Sequence, residues 1–181
     1  MTDRPTIDED THRKVTAHHE AGHAVAAVMR GGSSLRSITL EPDGLGGLTL
    51  HRGFRWDLGF IAYAGQWAEA YYADCAGILP RGLTAAEYLK SGLDEAREWL
   101  EYAHPDETEE HDDWAHIVAH LDDMAAMMTA VPAHQRPTDD GVLSVWAREL
   151  EAVWPAIQTV AARLLAGDVL EDSDVRGIVG R

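Results

Sequence analysis

The sequence is poor in cysteine and has no long apolar run. Cys75 is the single cysteine among 181 residues, so no disulfide can form within the chain and a reducing compartment is indicated. No apolar stretch approaches the ~20 residues that cross a bilayer. The first residues are acidic and polar, without a hydrophobic signal segment. These absences predict a cytoplasmic protein that does not span a membrane.

Basic residues are also scarce. Fifteen Lys and Arg stand against 31 Asp and Glu, which gives a net charge of −16. Such a surface repels phosphate backbones and anionic lipid headgroups, so we expect neither nucleic acid nor a membrane surface as a partner. Hydrophobic residues make up 45% of the chain, enough for a sizeable core. The length predicts one domain over 11–181, preceded by a flexible N-terminus over 1–10.

The hydrophobic pattern predicts a mostly α fold with a small β element (α+β). Apolar residues recur at helical spacing in five segments, which are 11–29, 56–72, 84–103, 114–128 and 142–165. Alternating residues at 35–40 and 48–50 predict two short strands joined by a turn. Pro155 lies inside the last helical segment and is expected to kink it, because proline has no amide hydrogen.

The motif that carries chemistry is His19-Glu20-Ala21-Gly22-His23, an H-E-x-x-H pattern inside the first predicted helix. Residues four apart lie on one face of a helix, so both imidazoles can bind the same zinc ion. Glu20 then lies beside the metal, where it can act as general base and acid in hydrolysis. Gly22 costs about 1 kcal/mol relative to alanine within a helix, which indicates that a side chain must be absent there.

The residues after the motif narrow the kind of zinc site. A metzincin needs glycine at position 26 and histidine at position 29, where this chain has Ala26 and Met29. That class is excluded. A glutamate from a later helix, such as Glu69, is one candidate for the third ligand, and an aspartate is another.

Several segments resemble the zinc peptidase domain of FtsH-type AAA proteases. The likeness is strongest in A-H-H-E-A-G-H-A-V and extends to both strands and the second helix. The matching segments are 17–25, 38–42, 46–50, 64–69 and, more weakly, 147–178. The sequence has no phosphate-binding loop, ATPase module or transmembrane helix, so it resembles the peptidase domain standing alone.

The resemblance implies a zincin-like helical peptidase with an aspartate as third zinc ligand. Family members carry that aspartate at the start of a later helix, and Asp113 in Asp-Asp-Trp fits the position best. Relative to the family, the chain has an insertion after the segment 64–69, and Asp94 is the alternative ligand if that insertion is shorter. Three further candidates are Glu69, His111 and His116.

The predicted function is zinc-dependent peptide-bond hydrolysis at His19, His23 and Asp113, with Glu20 as general base. The strand segment Ser37, Ile38, Thr39 and Leu40 is expected to bind an extended substrate as an added strand. Without a motor, activity should be independent of ATP and limited to peptides and unfolded chains, unless a separate unfoldase or adaptor assists. The alternative is a non-proteolytic interaction or regulatory protein that retains zinc structurally, which would have no need of Glu20.

Overall fold

The computed structural model describes residues 8–30, 33–41, 46–80, 82–102 and 112–180. It is mostly helical with a two-stranded antiparallel sheet, so the predicted fold class is confirmed. The elements run in the order α1 (Glu9–Met29), β1 (Ser34–Leu40), β2 (Gly47–Arg52), α2 (Arg55–Cys75), α3 (Ala85–Tyr102), α4 (Asp112–Met127), a 3₁₀ turn (Ala133–Gln135), α5 (Asp139–Ala152), α6 (Trp154–Leu165) and α7 (Asp172–Val179).

Helix α1 is the central element and carries the H-E-x-x-H motif. It begins at Glu9, two residues before the predicted start, because the Asp8 carboxylate accepts a hydrogen bond from the Thr11 amide and caps the helix. Glu9 and Asp10 therefore belong to α1, while residues 1–7 of the predicted flexible segment lie outside the described residues. From Ala21 to Val28 every residue is buried, so most of the helix forms the core.

Helix α2 packs closely along α1. A Cβ added to Gly22 would lie 2.3 Å from the carbonyl oxygen of Ala64 and 2.9 Å from the Cβ of Ala68. The side chain that the sequence predicts to be absent is therefore excluded by the α2 backbone. This contact sets the distance between the two helices that build the candidate site.

The small sheet lies against α1 and is fixed at one edge. Strands β1 and β2 pair with Ile38 opposite Thr49 and Leu40 opposite Gly47. On the other side of β1, the Ile38 amide donates to the Leu170 carbonyl at 2.9 Å, and the Leu170 amide donates to the Ile38 carbonyl at 3.0 Å. The outer edge of β2 has no backbone partner among the described residues.

The prediction of one kinked helix over 142–165 is wrong. The structure has two helices that part at Val153, whose φ of −111° leaves the helical range. Pro155 cannot donate to Glu151, and it lies in the first turn of α6, where that donor is not needed.

Helices α3, α4 and α5 pack beside α2 and bring the start of α4 to the motif. Arg97 on α3 donates to Asp122 at 3.1 Å and to Asp139 at 2.8 Å, which links α3 to both later helices. Residues 106–113 form a strongly acidic run in the sequence, of which only Asp112 and Asp113 fall within the described residues, where they open α4. Across the described parts of the chain, no helix is both long and apolar enough to cross a membrane.

The close approach of α1 and α2 predicts that Gly22→Ala destabilises the fold. The added methyl group must displace the Ala64 carbonyl, and overpacking of this kind costs about 1–3 kcal/mol. Urea unfolding monitored by circular dichroism measures the loss. Gly177→Ala in α7 is the matched control, because its Cβ meets nothing within 4 Å. Equal stability of the two variants would contradict the packing argument.

Candidate metal centre

Three side chains from two helices converge on one point. His19 and His23 come from α1 and Asp113 from the first turn of α4. The two Nε2 atoms lie 2.9 Å apart, and each is 3.2 Å from Oδ2 of Asp113. Their potential ligand atoms all lie within 4.8 Å of one another. Among the described residues this is the group of three that could hold a metal ion.

The other ring nitrogens are held from α2. His23 Nδ1–H donates to the Ile61 carbonyl oxygen at 2.8 Å, and His19 Nδ1 lies 3.1 Å from Oε2 of Glu69. Each contact places the proton of a neutral imidazole on Nδ1, so the lone pair on Nε2 points into the cluster. Partners of this kind fix the tautomer and orientation of metal-binding histidines.

The arrangement fits a divalent cation. In the neutral tautomers two imidazole lone pairs and a carboxylate oxygen face one another at about 3 Å, which is repulsive unless a proton or a metal ion lies between them. Two imidazoles and one carboxylate are a ligand set that catalytic zinc sites use, with the fourth position left open. Gly65 makes room for one ligand, since a Cβ there would lie 2.3 Å from the His23 ring. These residues therefore suit zinc.

Charge within the cluster shifts its pKa values. Burial alone would lower the pKa of His19, but hydrogen bonds and charge attraction from Asp113 and Glu69 outweigh it and raise the pKa to about 10. The pKa of His23 is raised as well. Burial would lower it, but the charge of Asp113 and the hydrogen bond to Asp113 outweigh the burial. The two histidines hold the pKa of Asp113 far below its usual range despite the carboxylate's burial. The site thus attracts a positive charge, whether a proton or a metal ion.

Glu20 lies next to the cluster but outside it. Its side chain is buried, and Oε2 accepts a 2.5 Å hydrogen bond from the Thr49 hydroxyl on β2. Gly47 allows the strand to approach, because a Cβ there would lie 2.4 Å from Cγ of Glu20. The strand therefore holds the carboxylate that the motif places beside the metal.

The adjacent His18 is directed to a different part of the core. Its Nδ1 lies 2.7 Å from the Lys14 carbonyl, and its ring stacks on Tyr72 at 4.1 Å and on Trp154 at 5.5 Å. Burial lowers its pKa. His18 is therefore a packing residue, and the two histidines four apart are the ones that converge.

A cavity of about 210 Å³ opens beside the cluster. It is lined from α1, β2, α2 and α4 by His23, Thr49, His51, Leu58, Ala62, Asp113 and His116. The side chains of His19 and Asp113 retain 19% and 27% exposure, so the cluster is open to small molecules. The cavity can hold a small group next to the three candidate metal ligands.

The structure separates the candidates for the third ligand. Asp113 joins the histidines, whereas Glu69 contacts the opposite nitrogen of His19 and so orients that ring. Asp94 lines a groove between α3 and α5 instead. His116 lines the cavity, and His111 lies outside the described residues.

The expected substrate edge on β1 is occupied at its centre. Both backbone groups of Ile38 that face away from β2 are bonded to Leu170, so the expectation is wrong for Ile38. Ser37 pairs with Leu50 and Thr39 with Leu48 within the sheet, while Leu40 is half-buried at the strand end. Of the two strands, β2 is the one that lines the cavity, through Thr49 and His51.

Comparison with known proteins points to peptidases. The sequence profile of the family described as Peptidase M50B-like matches residues 7–73. M50 family peptidases are metallopeptidases, and the match supports a metallopeptidase-family relationship and a function of that type. It does not single out the FtsH type. No curated protein matches the chain.

The matched segment covers α1, the sheet and most of α2, with both histidines, Glu20 and Glu69. Asp113 lies beyond it. The support from Thr49, and the position of His51, were not predicted from the sequence. The sequence does carry one indication of these two positions. Thr49 and His51 are two apart on β2, so both lie on the face of the strand that packs on α1.

Replacement of the third ligand tests the cluster. Asp113→Asn exchanges a charged oxygen for a neutral amide, so zinc affinity should fall by more than the ~10–100-fold that loss of an outer hydrogen-bond partner costs. Competition with a chromogenic chelator measures the affinity. Asp94→Asn, in the groove between α3 and α5, should retain the original affinity. Unchanged binding in Asp113→Asn would remove Asp113 from the site.

The raised pKa of His19 predicts a pH dependence of the metal-free fold. Below about pH 6.5 the histidine is protonated in both states and its stabilisation is fully present. Between there and a pKa of about 10 only the folded state holds the proton, so stability should fall as pH rises. Urea midpoints of chelator-treated protein from pH 6 to 10 measure the slope. His19→Gln should flatten it, and an equal slope in both proteins would contradict the assignment.

Proposed function

We propose that this chain is a zinc metallopeptidase that hydrolyses peptide bonds with Glu20 as general base. The observation that carries the proposal is the convergence of His19, His23 and Asp113 beside a buried carboxylate that is not itself in the cluster. Zinc bound there would lower the pKa of water to about 7 and polarise a carbonyl group. The metallopeptidase family match over the first two helices and the sheet supports the same function.

Glu20 supplies the proton transfers. Its carboxylate accepts a proton from the attacking water as the C–O bond forms, and later gives that proton to the leaving amine nitrogen as the C–N bond breaks. Thr49 fixes the carboxylate by donating to Oε2, which leaves Oε1 for the proton transfer. A purely structural zinc site would give no role to this buried carboxylate, so the arrangement favours an enzyme over an interaction protein.

The outer edge of β2 is the surface that fits an extended substrate. Its backbone groups have no partner among the described residues, and its Thr49 and His51 line the cavity. A peptide added as a strand there would place its scissile bond near the cluster. Leu48 and Leu50 are 51% and 41% exposed on the opposite face of the strand, where they can contact alternate apolar side chains of the substrate.

The substrates are short peptides, unfolded chains or flexible termini. Strand addition needs an extended backbone, which a stable folded domain exposes only in rare open states. The net charge of −16 favours basic segments through long-range attraction. We therefore propose ATP-independent activity in the cytoplasm, with a separate unfoldase or adaptor required for folded substrates.

Glu20→Gln tests the general base. The amide keeps the size and the Thr49 contact but cannot accept the proton, so hydrolysis of a quenched fluorescent peptide should fall by about 10²-fold or more. Bound zinc, measured by atomic emission, should stay at the wild-type level. Glu98→Gln on the exposed side of α3 is the matched control and should keep full activity. Loss of zinc from Glu20→Gln would instead make Glu20 a metal ligand.

Digestion of a folded and an unfolded substrate tests the proposed mode of action. One model protein is prepared in a folded form and in a destabilised form, and both are digested with and without ATP. The destabilised form should be cleaved and the folded form should resist, with no effect of ATP. Rapid ATP-stimulated digestion of the folded form would contradict the proposed mechanism.

A further inference from the structure

Two polar side chains at the cavity, His51 and His116, have no role in the proposed chemistry. The Nδ1 of His51 is enclosed by protein and has no hydrogen-bond partner among the described residues. Buried polar atoms nearly always have a partner, so an orphaned one needs an explanation. The ring lines the cavity beside His23, Thr49 and Asp113, which places it next to the candidate metal centre.

The strand positions His51 relative to Glu20. Side chains two apart on β2 share a face, so Gly47, Thr49 and His51 all face α1. The first two pack on or bond to Glu20, and His51 follows one step of about 7 Å along the strand. A substrate along the β2 edge would therefore pass Glu20 and His51 in succession.

The surroundings of the ring favour one tautomer. A proton on Nδ1 would be a buried donor without an acceptor, and orphaned buried N–H groups are rare in native structures. A proton on Nε2 remains available to a ligand. Burial lowers the pKa of His51, with a further contribution from His23, so the ring is neutral at pH 7 and carries one proton. The imidazole is therefore arranged as a donor through Nε2.

We propose that His51 donates a hydrogen bond from Nε2 to the carbonyl oxygen of the scissile peptide bond and stabilises the negative charge that develops there. The inference rests on the proposed peptidase function and adds a catalytic residue to it. As the water oxygen bonds to the carbonyl carbon, the C=O π pair moves to the oxygen, and the His51 hydrogen bond strengthens without transfer of its proton. The contact is stronger in the transition state than in the ground state, so it should act on kcat more than on KM.

Kinetics of two substitutions test the role. His51→Ala should lower kcat by about 10²–10³-fold, the range for removal of one such donor, with KM changed only a few-fold. His51→Gln retains an amide N–H near the Nε2 position and should recover part of kcat. Zinc content and the urea midpoint should match the wild type in His51→Gln, which separates loss of the donor from loss of fold. His134→Ala, at an exposed histidine in the 3₁₀ turn, is the control and should keep full activity.

A binding measurement provides a readout apart from turnover. The probe is the phosphinic analogue of a peptide that the wild-type chain cleaves, because its tetrahedral oxygens resemble the transition state. His51→Ala should weaken binding of this analogue by the same factor as kcat. In the inactive Glu20→Gln background, His51→Ala should leave the affinity for the parent peptide unchanged. Equal weakening of both ligands would make His51 a general substrate contact and overturn the proposal.

The tautomer is tested on the metal-free chain. In ¹⁵N-histidine NMR spectra, His51 should show its proton on Nε2, and a proton on Nδ1 would overturn the donor role. Unchanged kcat in His51→Ala would overturn it as well, while the peptidase function stood. A wild-type chain that neither cleaves peptides nor binds zinc would contradict the proposed function, and the role of His51 with it.

Discussion

The packing of α2 against α1 is the constraint on which the candidate site depends. Gly22 lets the Ala64 carbonyl approach α1, and Gly65 leaves the space that the His23 ring occupies. The same helix supplies the Ile61 carbonyl and the Glu69 carboxylate that orient the two imidazoles. A larger side chain at either glycine would separate the helices and release both rings. Core packing and the orientation of the two imidazoles are therefore set by the same contacts.

Around this pair of helices, two further elements complete the site. Helix α4 brings the Asp113 carboxylate to the Nε2 atoms of both histidines, and Gln66 donates to the same oxygen at 3.2 Å. Strand β2 brings Thr49 to Glu20. The proposed third ligand and the proposed general base are thus positioned by different elements, which explains how one carboxylate can join the cluster while another nearby carboxylate stays outside it.

The sequence predicted the parts of the site that depend on local spacing. Two histidines four apart on a helix share a face wherever the helix packs, and Gly22 within that helix already indicated a close neighbour. Asp113 was reachable only through the family resemblance, because no periodicity connects the start of α4 to α1. The sequence identified Glu69 as a candidate third ligand. Its contact with Nδ1 of His19 depends on how α2 packs, which the sequence does not reveal.

The wrong expectations have a common physical origin in contacts between distant segments. The edge of β1 looked free because Leu170, which bonds to Ile38, lies far along the chain. The division between α5 and α6 depends on how the chain turns at Val153, which the apolar pattern alone continues through. The burial of His51 Nδ1 likewise depends on tertiary packing. Alternation along β2 indicated its face but not its surroundings.

The most direct test is the position of the metal in a crystal of the zinc-loaded protein. Anomalous diffraction at the zinc edge should show one peak about 2.0–2.2 Å from Nε2 of His19, Nε2 of His23 and a carboxylate oxygen of Asp113. Glu20 should lie beside that peak without binding it. A peak at any other set of side chains, or an empty cluster in protein grown with excess zinc, would contradict the account.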